Sequence, residues 1–247
     1  MDASIVCGLH AVLTALQQHP DRVGGVWISV ERDDRRIGQV LDAARASNVK
    51  FHRVPRVKLD EMADGLRHQG VVARLQVTPV AHALDLDAFV AGLEHAPLLL
   101  ILDGVQDPHN LGACLRVADG AGVDAVIVPR DRAAPVTAVT RRVASGAAET
   151  MPLFQVVNLS RTLENLKKAG VWLYGAAQDA PEELYAADLT GPAAIVLGGE
   201  GSGLRRLTRE HCDKLVRIPM VGKVESLNVS VAAGVMLYEA VRQRRGG

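Results

Sequence analysis

Hydrophobic and polar positions along the chain switch between two periods, and the switching divides it into two series. Gly8–Gln18 (GLHAVLTALQQ) repeats apolar residues at helical spacing, and Gly25–Val30 (GVWISV) reads as a strand. Arg35–Ser47 then predicts a helix, Lys50–Val54 a strand, Lys58–His68 a helix and Val71–Val77 a strand. Strands alternating with helices predict a small α/β/α layered domain over residues 1–77. Periodicity lapses in Thr78–Asp85 (TPVAHALD), where a proline also falls, so residues 78–85 are expected to be the joint.

The second series occupies residues 86–247. Helices are predicted at Leu86–His95, Leu111–Ala121, Val136–Ala144 and Ser160–Ala169. Strands are predicted at Leu98–Leu102, Ala125–Val128, Phe154–Val157, Val171–Ala176, Ala193–Leu197 and Leu215–Ile218. Their short unbroken runs of Val, Ile and Leu fit a parallel sheet covered on both faces, so the fold class is α/β. The closing helix, Leu227–Arg242, reads VSVAAGVML near its start and is apolar on nearly every side. Burial is expected for such a helix, with Ser226 as its N-cap.

Composition narrows the class without deciding it. The longest apolar runs, Pro97–Leu102 and Ala193–Leu197, fall far short of the ~20 residues of a membrane helix. No charged stretch followed by an apolar one opens the chain, so no secretory signal is expected. Cys7, Cys114 and Cys212 are odd in number and lack metal-type spacing, which predicts reduced thiols in the cytoplasm and no metal. Lysine and arginine (28) balance aspartate and glutamate (28), which argues against nucleic acid binding over the whole surface. A local arm remains: Lys50, Arg53, Arg56 and Lys58 are four cations in nine residues with no acid among them. Its plain reading is a solvated face; the functional one is contact with RNA phosphates.

Three polar segments carry the candidate chemistry. The first, Asp103–Arg116 (DGVQDPHNLGACLR), leads from a strand into a helix that Asn110 is placed to cap, with Arg116 six residues on. The second, Leu197–Leu204 (LGGEGSGL), follows another apolar strand, and its glycines suit close backbone approach. The spacing is wrong for a dinucleotide fingerprint, and no Gly-Lys-Ser/Thr follows, which excludes a P-loop. The third, Ile218–Asn228 (IPMVGKVESLN), joins a turn to the closing helix, whose N-terminus leaves backbone amides unpaired. Taken singly, the first two also read as ordinary turns.

Together the three segments resemble the motifs of the SpoU branch of the SPOUT RNA methyltransferases. The likeness rests on Asn110 with Arg116, on Gly199-Glu200-Gly201, and on Ile218-Pro219-Met220 followed by Ser226-Leu227-Asn228, and it covers about Leu98 to Glu239. Residues 1–77 resemble the L30e-like domain by which members of the family bind RNA. What the resemblance implies is methyl transfer from S-adenosylmethionine to a ribose 2′-hydroxyl by a homodimer. It also implies a trefoil-knotted α/β domain over residues 86–247. A guanosine of large-subunit (23S) ribosomal RNA is the implied substrate. Transfer RNA, or a non-catalytic RNA-binding module of the same fold, is the alternative.

The resemblance places the cofactor around Leu197, Gly198, Gly199, Ile218, Met220 and Leu227. It gives catalytic parts to Asn110, Arg116, Glu200, Ser226 and Asn228, and RNA contacts fall to Lys50, Arg53, Arg56 and Lys58. A guanidinium holds its proton at neutral pH. Arg116 is therefore read as a stabiliser of developing alkoxide or an anchor on a phosphate. Glu200 is read as a partner for Arg116 and as the carboxylate of a proton relay.

Overall fold

The structure, a computed structural model, describes residues 3–76, 81–201 and 203–246. Val77, residues 78–80 of the expected joint and Ser202 of the glycine-rich segment lie outside the described residues. The chain divides into two compact units, Met1–Pro79 and Val80–Gly247.

The first unit runs β1 (Ala3–Cys7), α1 (Leu9–Gln18), β2 (Val23–Ser29), α2 (Arg35–Ala46), β3 (Phe51–Val54), α3 (Arg56–Ala63) and β4 (Val71–Gln76). Its sheet has the order β1-β4-β2-β3, with β4 antiparallel to both neighbours and β2 parallel to β3. Alternate residues face opposite layers. Val26, Ile28, Val71 and Ala73 pack under α1 and α2, whereas Trp27 and Val72 meet Leu59 and Ala63 of α3. Two elements depart from the sequence reading. Strand β1 is unanticipated, because its Ile5-Val6-Cys7 alternation is too short to stand out at a chain end. Helix α3 stops at Ala63 rather than His68, because Asp64 (φ 43°) and Gly65 (φ 79°) take left-handed conformations that end it.

The second unit begins with β5 (Ala81–His82) and α4 (Ala83–Ala91), which fall where part of the joint is expected. It continues through β6 (Leu98–Asp103), α5 (Pro108–Gly120), β7 (Ala125–Pro129), α6 (Ala138–Ala144), α7 (Ala147–Thr150), β8 (Leu153–Val156) and α8 (Leu159–Lys168). Then come β9 (Trp172–Ala176), β10 (Glu182–Glu183), β11 (Ala193–Gly198), α9 (Arg206–His211), β12 (Lys214–Arg217) and α10 (Val229–Arg245). The sheet order is β10-β12-β9-β11-β6-β7-β8-β5, and every pairing is parallel. Strand β6 is buried along its whole length. Leu98, Leu100 and Leu102 join the layer of α5 and α10, and Leu99 and Ile101 join that of α4 and α8. Burial on both faces is why these strands lack alternation.

Strand β11 inserts between β9 and β6, and the register sets Gly198 opposite Asp103. The first two polar segments, far apart in sequence, therefore leave the sheet side by side. Helix α10 departs from expectation twice. Its N-cap is Asn228, not Ser226: the Asn228 Oδ1 accepts from the backbone N–H of Ser230. Nor is it buried all round, since Val231 and Tyr238 stay about half exposed (50% and 52%) while Ala233, Met236 and Leu237 fill the core.

Candidate active site

The site starts at the carboxyl end of β6. Beyond it, Asp107 caps α5 by accepting the His109 N–H at 2.9 Å, and Pro108 takes the first helical position. The capping role expected of Asn110 thus belongs to Asp107, because an Asp-Pro pair suits that boundary better. Asn110 sits within the first turn, 8% exposed, with its amide free to bond across the domain. Its Nδ2 donates to Glu200 Oε1, and its Oδ1 accepts from Asn228 Nδ2 at 3.0 Å. Asn228 Nδ2 also donates to Glu200 Oε1 at 3.0 Å. One residue from each polar segment closes a three-way network, and the capping bond through Asn228 Oδ1 leaves its amide nitrogen to face the others. Cys114, one turn after Asn110, has its thiol pushed up to about 12, first by burial and second by the negative field of Glu200.

Arg116 lies on the same helix but outside this network. Six residues from Asn110 amount to roughly 600° of helix rotation, so the two occupy different faces. Arg116 is exposed and, among the described residues, its side chain forms no hydrogen bond or ion pair. The expected Glu200–Arg116 pair is therefore not formed; two amide donors take the Glu200 oxygen instead. Ser226 is likewise exposed and has no hydrogen-bond partner among the described residues.

The glycine-rich segment is shaped by its own backbone. A Cβ on Gly198 would stand 2.0 Å from the carbonyl carbon and oxygen of Gly203, and one on Gly199 would stand 2.5 Å from the Gly104 oxygen. The loop folds back through the Gly203 N–H to Gly199 carbonyl bond (3.1 Å) and presses on the turn after β6. Close packing of backbone on backbone demands these glycines, whatever else they admit. A buried latch holds the loop's far end. Asp103, 1% exposed at the end of β6, accepts from Arg205 Nε and Thr208 Oγ1, each at 2.6 Å. The hydrogen bond to Asp103 raises the Arg205 pKa. Sequence reasoning missed this latch, although a lone acid ending an otherwise apolar strand (LLLILD) was a signal.

The residues expected around a cofactor fall on two neighbouring loops. Leu197 is buried at the end of β11 with Gly198 and Gly199 beyond it, and Ile218, Met220 and Leu227 are half-buried after β12. Strand β9 alone separates β11 from β12, so the loops leave strand ends roughly 10 Å apart. Ligands of open α/β sheets bind at such carboxyl ends. The backbone of residues 219–227 makes no hydrogen bond among the described residues, which leaves amides and carbonyls for an outside partner. Apolar side chains beside unpaired backbone groups fit a nucleoside-bearing cofactor.

The cationic arm is in the first unit, and only part of it is unpaired. Arg53 donates to the Ser29 and Arg32 carbonyls at 3.3 and 2.6 Å and pairs with Asp33, and Lys58 pairs with Glu61 at 2.9 Å. Lys50 and Arg56 are exposed and make no such contacts among the described residues. Among those residues, no group of three or more His, Cys, Asp or Glu is placed to hold a metal ion, and no helix is long and apolar enough to cross a membrane.

Two family models match the chain. That of the SpoU rRNA methylase family covers residues 97–238, and that of RNA 2′-O ribose methyltransferase substrate binding covers residues 5–78. The chain belongs to the SpoU rRNA methylase family. Among curated SpoU relatives, the 23S rRNA (guanosine-2′-O-)-methyltransferase RlmB of Shewanella oneidensis is 53% identical, with 98% of each chain covered. RlmB of Pseudomonas putida is 52% identical over 97% of this chain and 96% of its own. Among solved structures, the SpoU methyltransferase AviRb of Streptomyces viridochromogenes, in complex with AdoMet, superposes with a TM-score of 0.76 at 25% identity. It covers 99% of this chain and 92% of its own. The SpoU model spans every member of the Asn110–Glu200–Asn228 network, Arg116 and both loops after β11 and β12.

Proposed function

We propose that the chain transfers a methyl group from S-adenosylmethionine to the ribose 2′-hydroxyl of a guanosine in 23S ribosomal RNA. The observation that carries this reading is the closure of Asn110, Glu200 and Asn228 into one network beside the carboxyl ends of β6 and β11. Relatives at about half identity over nearly the whole chain, and a solved neighbour binding AdoMet, support the reaction and the substrate class. The cofactor brings an electrophilic methyl on a sulfonium. The protein must then hold the ribose oxygen in line and ease loss of its proton, and alignment of this kind supplies ~7–11 kcal/mol in intramolecular models.

The parts divide as follows. The loops after β11 and β12 hold the cofactor through Leu197, Gly198, Gly199, Ile218, Met220 and Leu227. The amide–carboxylate network fixes the relative positions of those loops and α5. Among the described residues, no neighbour engages Glu200 Oε2, and this oxygen can take a ribose proton. Arg116, whose side chain has no partner among the described residues, finds one in the RNA, as a cation beside the developing alkoxide or the adjacent phosphate. Ser226 contacts the ribose from the third segment.

The protein works as a homodimer in the cytoplasm. The half-exposed Val231 and Tyr238 of α10, with the exposed Val221 and Val224 before it, supply an apolar surface that a second copy covers. Sedimentation equilibrium at micromolar concentration tests this, and a single 26.3 kDa species would end it. For the reaction itself, tritiated methyl transfer is measured on unmodified 23S ribosomal RNA and on bulk transfer RNA. Label confined to a 2′-O-methylguanosine of the ribosomal RNA is the expected result, and label in transfer RNA alone would overturn the substrate.

A further inference from the structure

The first unit contains a cavity of about 460 Å³ that neither its core nor the paired arm explains. Arginines from four places converge on it: Arg32 after β2, Arg36 in α2, Arg56 in α3 and Arg67 in the loop before β4. Its size falls in the ~300–1,000 Å³ range of small-ligand sites. Arg32 is built into the wall. It pairs with Asp34, donates to the Gln69 carbonyl, and its Cδ stands 2.5 Å from where a Cβ of Gly70 would be. Gly70 has φ 79°, so neither space nor backbone admits a side chain there. Arg36, Arg56 and Arg67 are exposed and, among the described residues, have no side-chain hydrogen bond or acidic partner.

Among the described residues, the one acid lining the cavity is Asp60, and it is held in place. His68, 5% exposed, accepts the Gly70 N–H on Nδ1 at 3.1 Å, so its ring hydrogen lies on Nε2 and goes to Asp60 Oδ1 at 2.8 Å. Asp60 Oδ2 has no partner among the described residues. A solvated arginine rim accounts for isolated surface cations. It does not account for three unpaired guanidiniums around one concavity whose single carboxylate is braced by a buried histidine. Like charges gathered this way repel unless an anion enters.

We propose that this cavity holds one unpaired nucleotide of the RNA substrate. Arg36, Arg56 and Arg67 take its phosphate, to which the planar guanidinium fork is matched, and Asp60 takes its base edge. A carboxylate needs donors, and guanine offers N1–H and the exocyclic N2 amine side by side, whereas adenine offers only one amine on that edge. The cavity therefore selects guanine. Sequence-specific RNA recognition commonly targets such unstacked bases. This inference rests on the RNA-methylating function proposed above and assigns that function a second point of readout, remote in sequence from the SpoU motifs.

The test uses the full-length ¹⁵N-labelled protein titrated with guanosine 5′-monophosphate, adenosine 5′-monophosphate and inorganic phosphate. Guanosine monophosphate is expected to shift the amides of Leu66, Gln69 and Gly70 and to bind about tenfold more tightly than the adenosine form, the discrimination typical of a good bidentate base contact. Asp60→Asn should abolish that preference. The double variant Arg36→Ala/Arg67→Ala should lose all three probes and raise KM for ribosomal RNA at least tenfold, with kcat and S-adenosylmethionine affinity unchanged. No shift at these amides in the wild type, or a double variant with wild-type KM, would overturn the proposal. The titration involves no methyl transfer, so a wild-type chain that binds guanosine monophosphate but never methylates ribosomal RNA defeats the proposed function instead.

Discussion

Asn110 and Arg116 stand on one helix and behave as opposites. Asn110 is buried and bonded within the chain to residues 90 and 118 positions away. Arg116, less than two turns on, is exposed, and its side chain is bonded to nothing among the described residues. On the proposed mechanism, the first is complete before any substrate arrives and the second is finished only by what binds. The difference teaches that this site separates a preassembled frame from a group held in reserve. Stability should report the frame, and turnover the reserve.

The sharpest way to break that comparison is Arg116→Ala. Turnover should fall at least a thousandfold, while the melting temperature moves by less than ~1 °C, as for a surface substitution away from any packed feature. Calorimetry should find S-adenosylmethionine affinity within twofold of wild type, because the cofactor is assigned to other loops. Activity within tenfold of wild type would remove Arg116 from the reaction. Arg116→Lys keeps the charge but not the fork, and should also be poor.

Asn110→Ala should give the reverse signature. It deprives Glu200 of one donor and Asn228 of an acceptor, and leaving such groups unsatisfied costs about 1–3 kcal/mol. Urea unfolding should show that loss near the lower bound, since Glu200 is not deeply buried, together with a ten- to hundredfold drop in turnover. A variant as stable as wild type would mean that the network contributes no frame.

Much of this frame was legible in the sequence, though not how it closes. Six of the eight strands of the second unit are legible because parallel strands buried on both faces read as unbroken Val, Ile and Leu; the two-residue edge strands β5 and β10 are too short to show a pattern. The three polar segments were found because each follows such a strand or precedes a helix. What local pattern could not give was pairing at a distance. Glu200 is expected to pair with Arg116, since a carboxylate and a guanidinium carry opposite charges. In space, the insertion of β11 beside β6 brings it to two amides instead. The caps were misassigned for a related reason. Asn110 and Ser226 are good capping residues, but Asp107 with Pro108 and the better-placed Asn228 compete and win. The glycines, read as room for a ligand, also serve backbone contacts that no single segment encodes.

Asp103→Asn sharpens the comparison at the latch. The substitution keeps the shape but removes the charge that Arg205 and Thr208 share, and breaking a buried pair of this kind costs up to ~3–5 kcal/mol. Arg205 is itself partly exposed (side chain 40%), so solvent screens the pair and about 1–2 kcal/mol is the expected loss. Because the latch acts through the glycine-rich loop, the affinity for S-adenosylmethionine should weaken severalfold while kcat changes less. A fall confined to kcat would move Asp103 from holding the loop to the chemistry.

The smallest effect is expected at Ser226, and it decides to which class the third segment's exposed residue belongs. Asn228 already performs the capping that Ser226 was expected to perform, so Ser226→Ala should leave stability within ~0.5 kcal/mol, whereas Asn228→Ala should cost about 1 kcal/mol as a lost N-cap. If Ser226 meets the ribose, its removal subtracts one neutral hydrogen bond, worth about 0.5–1.5 kcal/mol, which lowers turnover by less than about tenfold. Unchanged stability with a threefold to tenfold loss places Ser226 beside Arg116, among the groups completed by substrate. Unchanged stability with unchanged turnover removes it from the site, and the third segment would then act through Asn228 and its open backbone alone.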